Sequence, residues 1–456
     1  MPQRGGSHEP GQLPGRLEEE RRIAGHGERI PGSPRRAQTA ARSAGAGARS
    51  RCILPIITCR ARRCRVTGRR PPPTLDCFAV TPPGVEAITA AELLALGITP
   101  GAAEPGGISF GAGPRQLYEA NLSLRTANRV LVRLAEFPAR AFYELERKAK
   151  RVPWETVVAS GAAVRFRVTS RKSRLYHLDG IAQRLANCVN GQRSTVNGTR
   201  PTSEDEDDGA AADTAEQLFV VRVFRDVVTI SADSSGALLH RRGYRLASGK
   251  APLRETLAAA MLLGAGYDGR APLLDPFSGS GTIPIEAALL ARRIAPGLRR
   301  GFAFERWPSF EADAWRAVKA EAEARVLSRA PAAITGSDRD AGAIEAARAN
   351  ASRAGVEADI ELRRAALSSI EPPPGPGFLV TNPPFGVRIG ERDRLRDLFA
   401  RLGQVARSRY RGWTVAILAA RAEHVRATGL PLEPVWSSSS GGVKVRLFRG
   451  SPSTSA

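Results

Sequence analysis

The chain has 456 residues, of which 42% are hydrophobic and 25% are charged, and its formal net charge is +23. This length is enough for two or three domains with sizeable cores, and the hydrophobic content excludes a chain that is disordered throughout. The excess of 68 basic over 45 acidic residues indicates a polyanionic partner. No apolar run reaches the ~18 residues that a membrane-spanning helix requires, so we expect no membrane association.

Residues 1–73 form an arginine-rich extension. They hold sixteen arginines and five glutamates, an excess of eleven positive charges, with little apolar periodicity. Such a segment cannot bury enough surface to offset the entropy lost on ordering, so we expect it to be disordered. Three origins are open: an organelle transit peptide, a basic nucleic-acid-binding tail, or translation from an upstream start. The acidic run Glu18–Glu20 counts against the transit peptide.

The cysteines indicate neither a disulfide framework nor a metal site. The five are Cys52, Cys59, Cys64, Cys77 and Cys188, and no two of them form a Cys-x-x-Cys pair. The histidines are also scattered without ligand spacing. We therefore expect free thiols in a reducing compartment, the cytoplasm, and no bound metal.

Ordered structure is predicted to begin at residue 74. Four elements follow: a strand at Leu75–Val80, a helix at Val85–Leu96, a short strand at Ile108–Phe110 and a helix at Pro114–Asn121. They predict a small α+β domain over residues 74–121.

Residues 122–235 are predicted to form a second α+β domain. Its elements are helices at Tyr143–Val152 and Leu178–Val189, and strands at Val164–Thr169, Leu218–Phe224 and Val227–Ser231. The last two strands are predicted to form a hairpin that turns at Arg225-Asp226. Basic side chains crowd the exit of the first strand, which by itself favours a solvated surface. The acidic run Glu204–Asp208 is interpreted as an exposed loop.

The central motif of the chain is the loop Asp275–Thr282, which lies between the apolar run Pro272–Leu274 and the helical pattern Ile283–Ala291. Open α/β sheets bind ligands at such strand–loop–helix units. The loop lacks the third glycine of a dinucleotide fingerprint, because that position is Pro284, and it lacks the lysine of a phosphate-binding P-loop. A carboxylate at the strand end, followed by glycines that let the backbone approach closely, suits a ligand with a cationic amino group.

Two later strand ends carry polar residues. The strand Ala333–Thr335 leads to Asp338, which is placed to accept hydrogen bonds from ribose hydroxyls, and Asp340 is predicted to cap the following helix. The strand Phe378–Thr381 leads into Asn382-Pro383-Pro384-Phe385. In this tetrapeptide the two prolines stiffen the loop, and an aromatic ring follows them.

The remaining elements complete a doubly wound sheet. A helix is predicted at Ala312–Arg329, where it lengthens the first crossover, a strand at Asp359–Arg363, a helix at Asp393–Ser408, a strand at Trp413–Ala419, and a terminal hairpin of Pro434–Ser438 with Val443–Arg449. The hairpin gives the sheet an antiparallel edge.

Three strings carry a family resemblance: Phe78–Ile88, Asp275–Ala288 and Asn382–Phe385. They resemble the class I RNA guanine-N2 methyltransferases that carry a THUMP domain, of the type acting on bacterial 23S rRNA. The resemblance covers about residues 76–450. It implies an α/β class I (Rossmann-like) methyltransferase domain over residues 236–456, preceded by a ferredoxin-like domain (74–121) and a THUMP RNA-binding domain (122–235).

The resemblance also implies the site residues and S-adenosyl-L-methionine as the cofactor. The expected cofactor-binding residues are Asp275, Pro276, Gly279, Ser280, Gly281, Thr282, Asp338 and Asn382. The expected catalytic residues are Asn382, Pro383, Pro384 and Phe385. The expected RNA-binding residues are Arg167, Arg171, Lys172, Arg174, Arg241 and Arg242. One position departs from the family, because Ala366 stands where an aspartate usually accepts a hydrogen bond from the adenine amino group.

The expected reaction is transfer of a methyl group to the exocyclic N2 amine of a guanosine in RNA, with 23S rRNA as the leading substrate. A tRNA guanosine is the alternative, and adenine N6 is a third. A different class, an RNA-binding factor whose catalytic site has decayed, also remains open, and Ala366 gives it slight support. The oligomeric state is not predicted.

Overall fold

The computed structural model describes residues 74–190, 216–245, 253–384 and 392–452. The predictions made for residues 1–73, for the acidic run Glu204–Asp208 and for Phe385 lie outside these ranges. The described residues contain two mixed sheets. None of their helices combines the length and the apolar content that crossing a bilayer would require.

The first sheet is mostly antiparallel. Its strands are β1 (Leu75–Val80), β2 (Pro100–Glu104), β3 (Gly107–Ala112), β4 (Arg129–Pro138), β5 (Val164–Arg171), β6 (Gln217–Phe224) and β7 (Val227–Asp233), in the spatial order β2-β3-β1-β4-β7-β6-β5. Among the described strands of this sheet, only β5 and β6 pair in parallel. Its helices are α1 (Glu86–Ala95), α2 (Pro114–Ser123), α3 (Phe142–Ala149) and α4 (Leu178–Asn190). The β6–β7 hairpin turns at Arg225 and Asp226, both with positive φ, as a tight two-residue turn requires.

The second sheet is parallel with an antiparallel edge. Its strands are β8 (Leu273–Asp275), β9 (Ile334–Asp338), β10 (Ile360–Arg364), β11 (Phe378–Thr381), β12 (Thr414–Ala419), β13 (Glu433–Ser440) and β14 (Val443–Gly450), in the order β10-β9-β8-β11-β12-β14-β13. Its helices are α5 (Glu255–Ala265), α6 (Thr282–Ala291), α8 (Ala341–Ala354), α9 (Arg392–Arg409) and α10 (Ala422–Ala427), whereas α7 (Ala312–Ala324) packs in the core of the first sheet. One core contains α5, α6 and α8, and another contains α9 and α10. This is the doubly wound sheet that the sequence predicts.

The chain order reverses between β8 and β11. From β8 the chain runs outward to β9 and β10, and then returns to the other side of β8 as β11. Both neighbours pair with β8 in parallel, so the carboxyl ends of β8, β9 and β11 lie at the same edge. Such a topological switch point is where open α/β sheets bind ligands.

The segment 302–324 leaves the second sheet and packs in the core of the first. Phe304 stacks on Tyr118 of α2 with ring centroids 4.5 Å apart, and Trp315 packs in the same cluster. Trp307 donates from Nε1 to Gln217 Oε1 over 2.7 Å. The sequence indicates only that this segment lengthens a crossover. It predicts a helix as far as Arg329, whereas α7 ends at Ala324.

Candidate functional site: a glycine loop and an Asn-Pro-Pro segment at the switch point

Asp275 lies at the carboxyl end of β8, and its side chain is almost fully buried, with 1% of its surface exposed. Its Oδ1 accepts hydrogen bonds from Thr381 Oγ1 (2.7 Å) and from the backbone N–H of Phe277 (3.1 Å). Burial, with a smaller contribution from the charge of nearby Asp338, raises the pKa of this carboxyl to about 7, and the two hydrogen bonds oppose this rise. Oδ2 accepts no hydrogen bond from the described residues. The carboxylate is therefore held rigidly with one oxygen available to a cationic group.

The two glycines of the loop differ in what surrounds them. Gly281 has φ +84°, and a Cβ built there would lie 2.9 Å from Ala347 Cβ on α8, so only glycine fits. Gly279 has φ +50° and faces space that no described atom fills within 4 Å of such a Cβ. Gly281 thus sets the approach of α6 to α8, while Gly279 leaves room beside the loop.

The remaining loop residues are fixed by the backbone around them. Pro276 is buried beside Asp275, and Thr282 is the first residue of α6. The carbonyl oxygen of Ser280 accepts from Asn350 Nδ2 over 3.0 Å, which ties the loop to α8. Because α6 begins directly after the loop, the backbone N–H groups of its first turn, which have no partner within the helix, lie beside the loop.

Asp338 ends β9 and holds the loop from the neighbouring strand. Its Oδ2 accepts from the N–H of Gly279 (3.1 Å) and its Oδ1 from the N–H of Asp340 (3.0 Å). Sequence reasoning placed Asp338 only at ribose and missed this role. Each carboxylate oxygen keeps a further acceptor position, so the ribose role stays a prediction. Asp340 caps α8 as predicted, because its Oδ1 accepts from Gly342 N–H over 2.8 Å.

Asn382 follows β11 directly, next to the end of β8. Its side-chain oxygen Oδ1 is buried and has no hydrogen-bond partner among the described residues. Pro383 is buried and Pro384 is exposed. A buried amide oxygen without a donor costs free energy comparable to a lost hydrogen bond, about 1–3 kcal/mol. This oxygen is therefore suited to a donor supplied by a ligand.

Arg245 connects the start of α5 to the loop, which the sequence did not reveal. Its Nη2 donates to Thr282 Oγ1 over 3.3 Å and to the carbonyl oxygen of Leu253, and it lies 3.3 Å from Glu255 Oε2. Burial raises the pKa of Glu255 to about 7, and Arg245 opposes this rise. The first turn of α5 is thereby held against the first residue of α6.

The predicted RNA-binding residues differ in how exposed they are to solvent. Arg171, Lys172 and Arg174 are exposed where β5 ends, as an RNA contact requires, and Arg167 on β5 is half-buried.

Arg242 differs from the expectation, because only 4% of it is exposed. Its guanidinium donates to the carbonyl oxygens of Leu239 (2.8 Å) and Arg125 (2.6 Å) and lies 3.4 Å from Glu286. These contacts engage its guanidinium inside the protein and disfavour a contact with RNA, so the RNA-binding role of Arg242 stays a prediction that its burial does not support. The neighbouring Arg241 is half-buried.

Ala366 lies exposed just after β10. Its carbonyl oxygen accepts from the N–H (2.9 Å) and the Oγ (2.8 Å) of Ser369. If this carbonyl oxygen replaced the missing aspartate as the acceptor for the adenine amino group, it would have to accept that hydrogen bond in addition to the two from Ser369. Within the described ranges, the His, Cys, Asp and Glu side chains form no group of three that could hold a metal ion.

The residues present fit S-adenosylmethionine. Its ammonium matches the free oxygen of Asp275, and the open side of Gly279 leaves room for a ligand against the backbone. The sheet order, the glycine loop at the switch point and the Asn-Pro-Pro segment together define a class I methyltransferase.

The comparisons with known proteins agree with this class. Residues 242–431 match the family model described as RMKL-like, methyltransferase domain, and residues 76–131 match the RlmL ferredoxin-like domain. The latter match extends past residue 121, into β4. The chain belongs to this family of RNA methyltransferases.

Three similar proteins illustrate the relationship. The putative RNA methyltransferase slr0064 of Synechocystis is 33% identical over 82% of this chain and 96% of its own length. Ribosomal RNA large subunit methyltransferase K/L of Syntrophotalea carbinolica is 36% identical, over 81% of this chain but only 53% of its own length. The crystal structure of SMU.472, a putative methyltransferase complexed with SAH, superposes with a TM-score of 0.72 at 27% identity, covering 84% of this chain and 99% of that one. The chain thus spans about half the length of the K/L relative.

These findings confirm the predicted enzyme class, an S-adenosylmethionine-dependent RNA methyltransferase, and the predicted ferredoxin-like beginning. The THUMP assignment of residues 122–235 and the domain boundaries stay predictions.

Proposed function

We propose that this chain methylates the exocyclic N2 amine of a guanosine in 23S rRNA. The observation that carries the proposal is the buried Oδ1 of Asn382, which lacks a donor among the described residues and lies at the switch point beside Asp275. The name of the K/L relatives supports ribosomal RNA of the large subunit as the substrate. The resemblance of the Asn-Pro-Pro-Phe segment to that of guanine-N2 enzymes supports the target atom.

The chemistry requires an acceptor at this position. The cofactor supplies an electrophilic methyl group, whereas the lone pair of an aromatic amine is delocalised into the ring. Asn382 Oδ1 and the Pro383 carbonyl oxygen hold the two amine hydrogens so that the nitrogen becomes more tetrahedral and its lone pair points at the methyl group. Pro383 and Pro384 fix the backbone that carries both acceptors. No strong general base is needed, because the nitrogen is positively charged and acidic once it carries the methyl group and can release its surplus proton to water.

The proposal is tested with Asn382→Ala. Removal of an acceptor that acts in the transition state is expected to lower the single-turnover methyl-transfer rate about 10²–10³-fold while RNA affinity changes little. The measurement uses rRNA and tRNA from a strain lacking the enzyme, with mass spectrometry of the methylated nucleosides. Asn187→Ala, which alters an exposed asparagine of α4, is the matched control and is expected to keep the wild-type rate.

Each outcome decides a part of the proposal. N2-methylguanosine in 23S rRNA that depends on Asn382 supports it. N2-methylguanosine in tRNA alone overturns the substrate, and N6-methyladenosine overturns the target base. A wild-type rate in Asn382→Ala overturns the role of the acceptor.

A further inference from the structure

The first sheet carries helices on one face and a groove of about 540 Å³ on the other. Side chains alternate along each strand, so that Cys77 and Ala79 of β1 face the helices while Phe78 faces the groove. The groove floor crosses β1, β4, β7, β6 and β5. Its volume lies within the ~300–1,000 Å³ typical of sites for small organic ligands.

Arginine–aromatic pairs cover this floor. The guanidinium carbon of Arg133 lies 4.8 Å from the ring centroid of Phe78. Those of Arg222 and Arg225 lie 5.4 and 5.2 Å from the ring centroid of Phe224. Aromatic rings beside planar guanidinium groups offer stacking surfaces for bases and donors for phosphates.

The charge of the groove favours a polyanion. Six arginines and two glutamates line it, an excess of four positive charges. One of the glutamates, Glu104, bridges two of the arginines, at 3.4 Å from Arg133 Nη2 and 3.5 Å from Arg222 Nη1. A phosphate entering the groove would compete with this carboxylate for the same donors.

The groove is also close to the methyl-transfer site. Arg254, the residue before α5, lines it, and so does Asn128, whose Oδ1 accepts from Thr256 Oγ1 of α5 over 3.0 Å. Glu255, between Arg254 and Thr256, pairs with Arg245. Arg245 in turn donates a hydrogen bond to Thr282 Oγ1 of the glycine loop. The first turn of α5 thus separates the groove from the cofactor loop.

We propose that this groove binds an unpaired segment of the RNA substrate, with bases stacked on Phe78 and Phe224 and phosphates held by Arg133 and Arg222. The proposal rests on the RNA methyltransferase function. An acidic protein segment is disfavoured, because the floor consists of strands whose backbone groups already pair within the sheet, so a peptide strand cannot be added there.

The test uses the full chain and a twelve-nucleotide oligouridylate, whose bases stack little on one another, containing one 2-aminopurine, whose fluorescence is quenched by stacking. Phe224→Leu keeps an apolar side chain but is expected to lose most of the quenching and about tenfold in affinity. Arg222→Gln is expected to lower the salt slope of binding by about one. Glu104→Gln is expected to have the opposite effect and to raise affinity several-fold, because it frees Arg133 and Arg222.

Arg184→Gln is the matched control. Arg184 also lies over a phenylalanine ring, 4.3 Å from the centroid of Phe142, and pairs with Glu146 at 3.2 Å, but on the helical side of the sheet. It is expected to bind as wild type. Thermal melts of every variant verify that the fold is retained.

The outcomes separate this inference from the proposed function. If the wild type methylates no RNA while the four variants behave as expected, the reaction is wrong and the groove assignment stands. If methylation proceeds but Phe224→Leu and Glu104→Gln bind and quench as wild type, the groove assignment is wrong. Binding of polyglutamate in preference to the oligonucleotide, with the same dependence on Arg222, would also overturn it in favour of an acidic protein.

Discussion

Asp275 illustrates how a single residue can link cofactor binding to pH. The carboxyl is buried beside Thr381, and its pKa is about 7 in the protein without cofactor. A raised pKa in the folded state means that Asp275 contributes stability that is fully present below about pH 4 and is lost as the pH rises through about 7. A cationic ligand group reverses this preference, because it favours the ionised carboxylate.

The affinity for S-adenosylmethionine is therefore expected to rise with pH between 5 and 7, by up to about tenfold per unit, and then to level off. Asp275→Asn is expected to bind about ten- to a hundredfold more weakly at pH 7 and to lose this pH dependence. Calorimetry over a pH series measures both. Asp268→Asn, an exposed carboxylate with 58% side-chain exposure, is the control and should follow the wild-type curve. A flat wild-type curve would place the ammonium elsewhere.

At the scale of elements, the glycine loop separates fold from ligand binding. Gly281→Ala introduces a Cβ against Ala347 at a positive φ, so we expect a loss of about 2–4 kcal/mol in the free energy of unfolding. Gly279→Ala meets no described atom, so its cost should be about 1–2 kcal/mol, whereas its Cβ occupies the space left for the cofactor and should weaken cofactor binding strongly.

Denaturant titration and calorimetry on the two variants test this division. The two glycines are two residues apart in the same loop, so each serves as the control for the other. Equal losses of stability, or unchanged cofactor affinity in Gly279→Ala, would contradict it.

The elements with clear periodicity were predicted well. β1 and β11 have the predicted bounds, and the β6–β7 hairpin turns where Arg225-Asp226 indicated. β2 was missed because Pro-Gly-Ala-Ala-Glu shows no alternation of apolar and polar residues and is held by pairing with β3.

The site was predicted as a set of positions rather than as a set of contacts. The loop and the strand ends could be found because a glycine turn after an apolar run has few structural solutions. The sequence could not reveal that Arg242 is buried, since burial depends on a carbonyl of Arg125 and a carboxylate of Glu286, both distant in the chain. The hydrogen bond from the Gly279 N–H to the carboxylate of Asp338 could not be predicted either, because these two residues are also distant in the chain.

At the scale of the molecule, a cluster of buried charged side chains joins the first sheet to α6, the helix that follows the glycine loop. Glu286 lies on α6 and accepts from Tyr244 over 3.1 Å, with Arg242 at 3.4 Å. Arg242 in turn donates to the carbonyl oxygen of Arg125, and Arg125 donates from Nη2 to Ile294 over 2.7 Å. Burial lowers the pKa of Arg125, which the charge of Glu286 opposes. The cluster thus ties the segment before β4 of the first sheet to α6, the helix that follows the glycine loop.

Glu286→Gln is expected to reduce the free energy of unfolding by about 3–5 kcal/mol, because it removes the buried counter-charge of Arg242 and the larger of the two that act on Arg125, the other being Glu92. The double variant Glu286→Leu with Arg242→Met should lose less than the sum of its single changes, since it removes both members of a pair. Glu423→Gln, which breaks the exposed pair with Arg421 at 3.3 Å, is the control and should cost under about 1 kcal/mol. Denaturant titrations followed by tryptophan fluorescence compare the variants. A loss in Glu286→Gln no larger than in Glu423→Gln would show that the cluster does not hold the two sheets together.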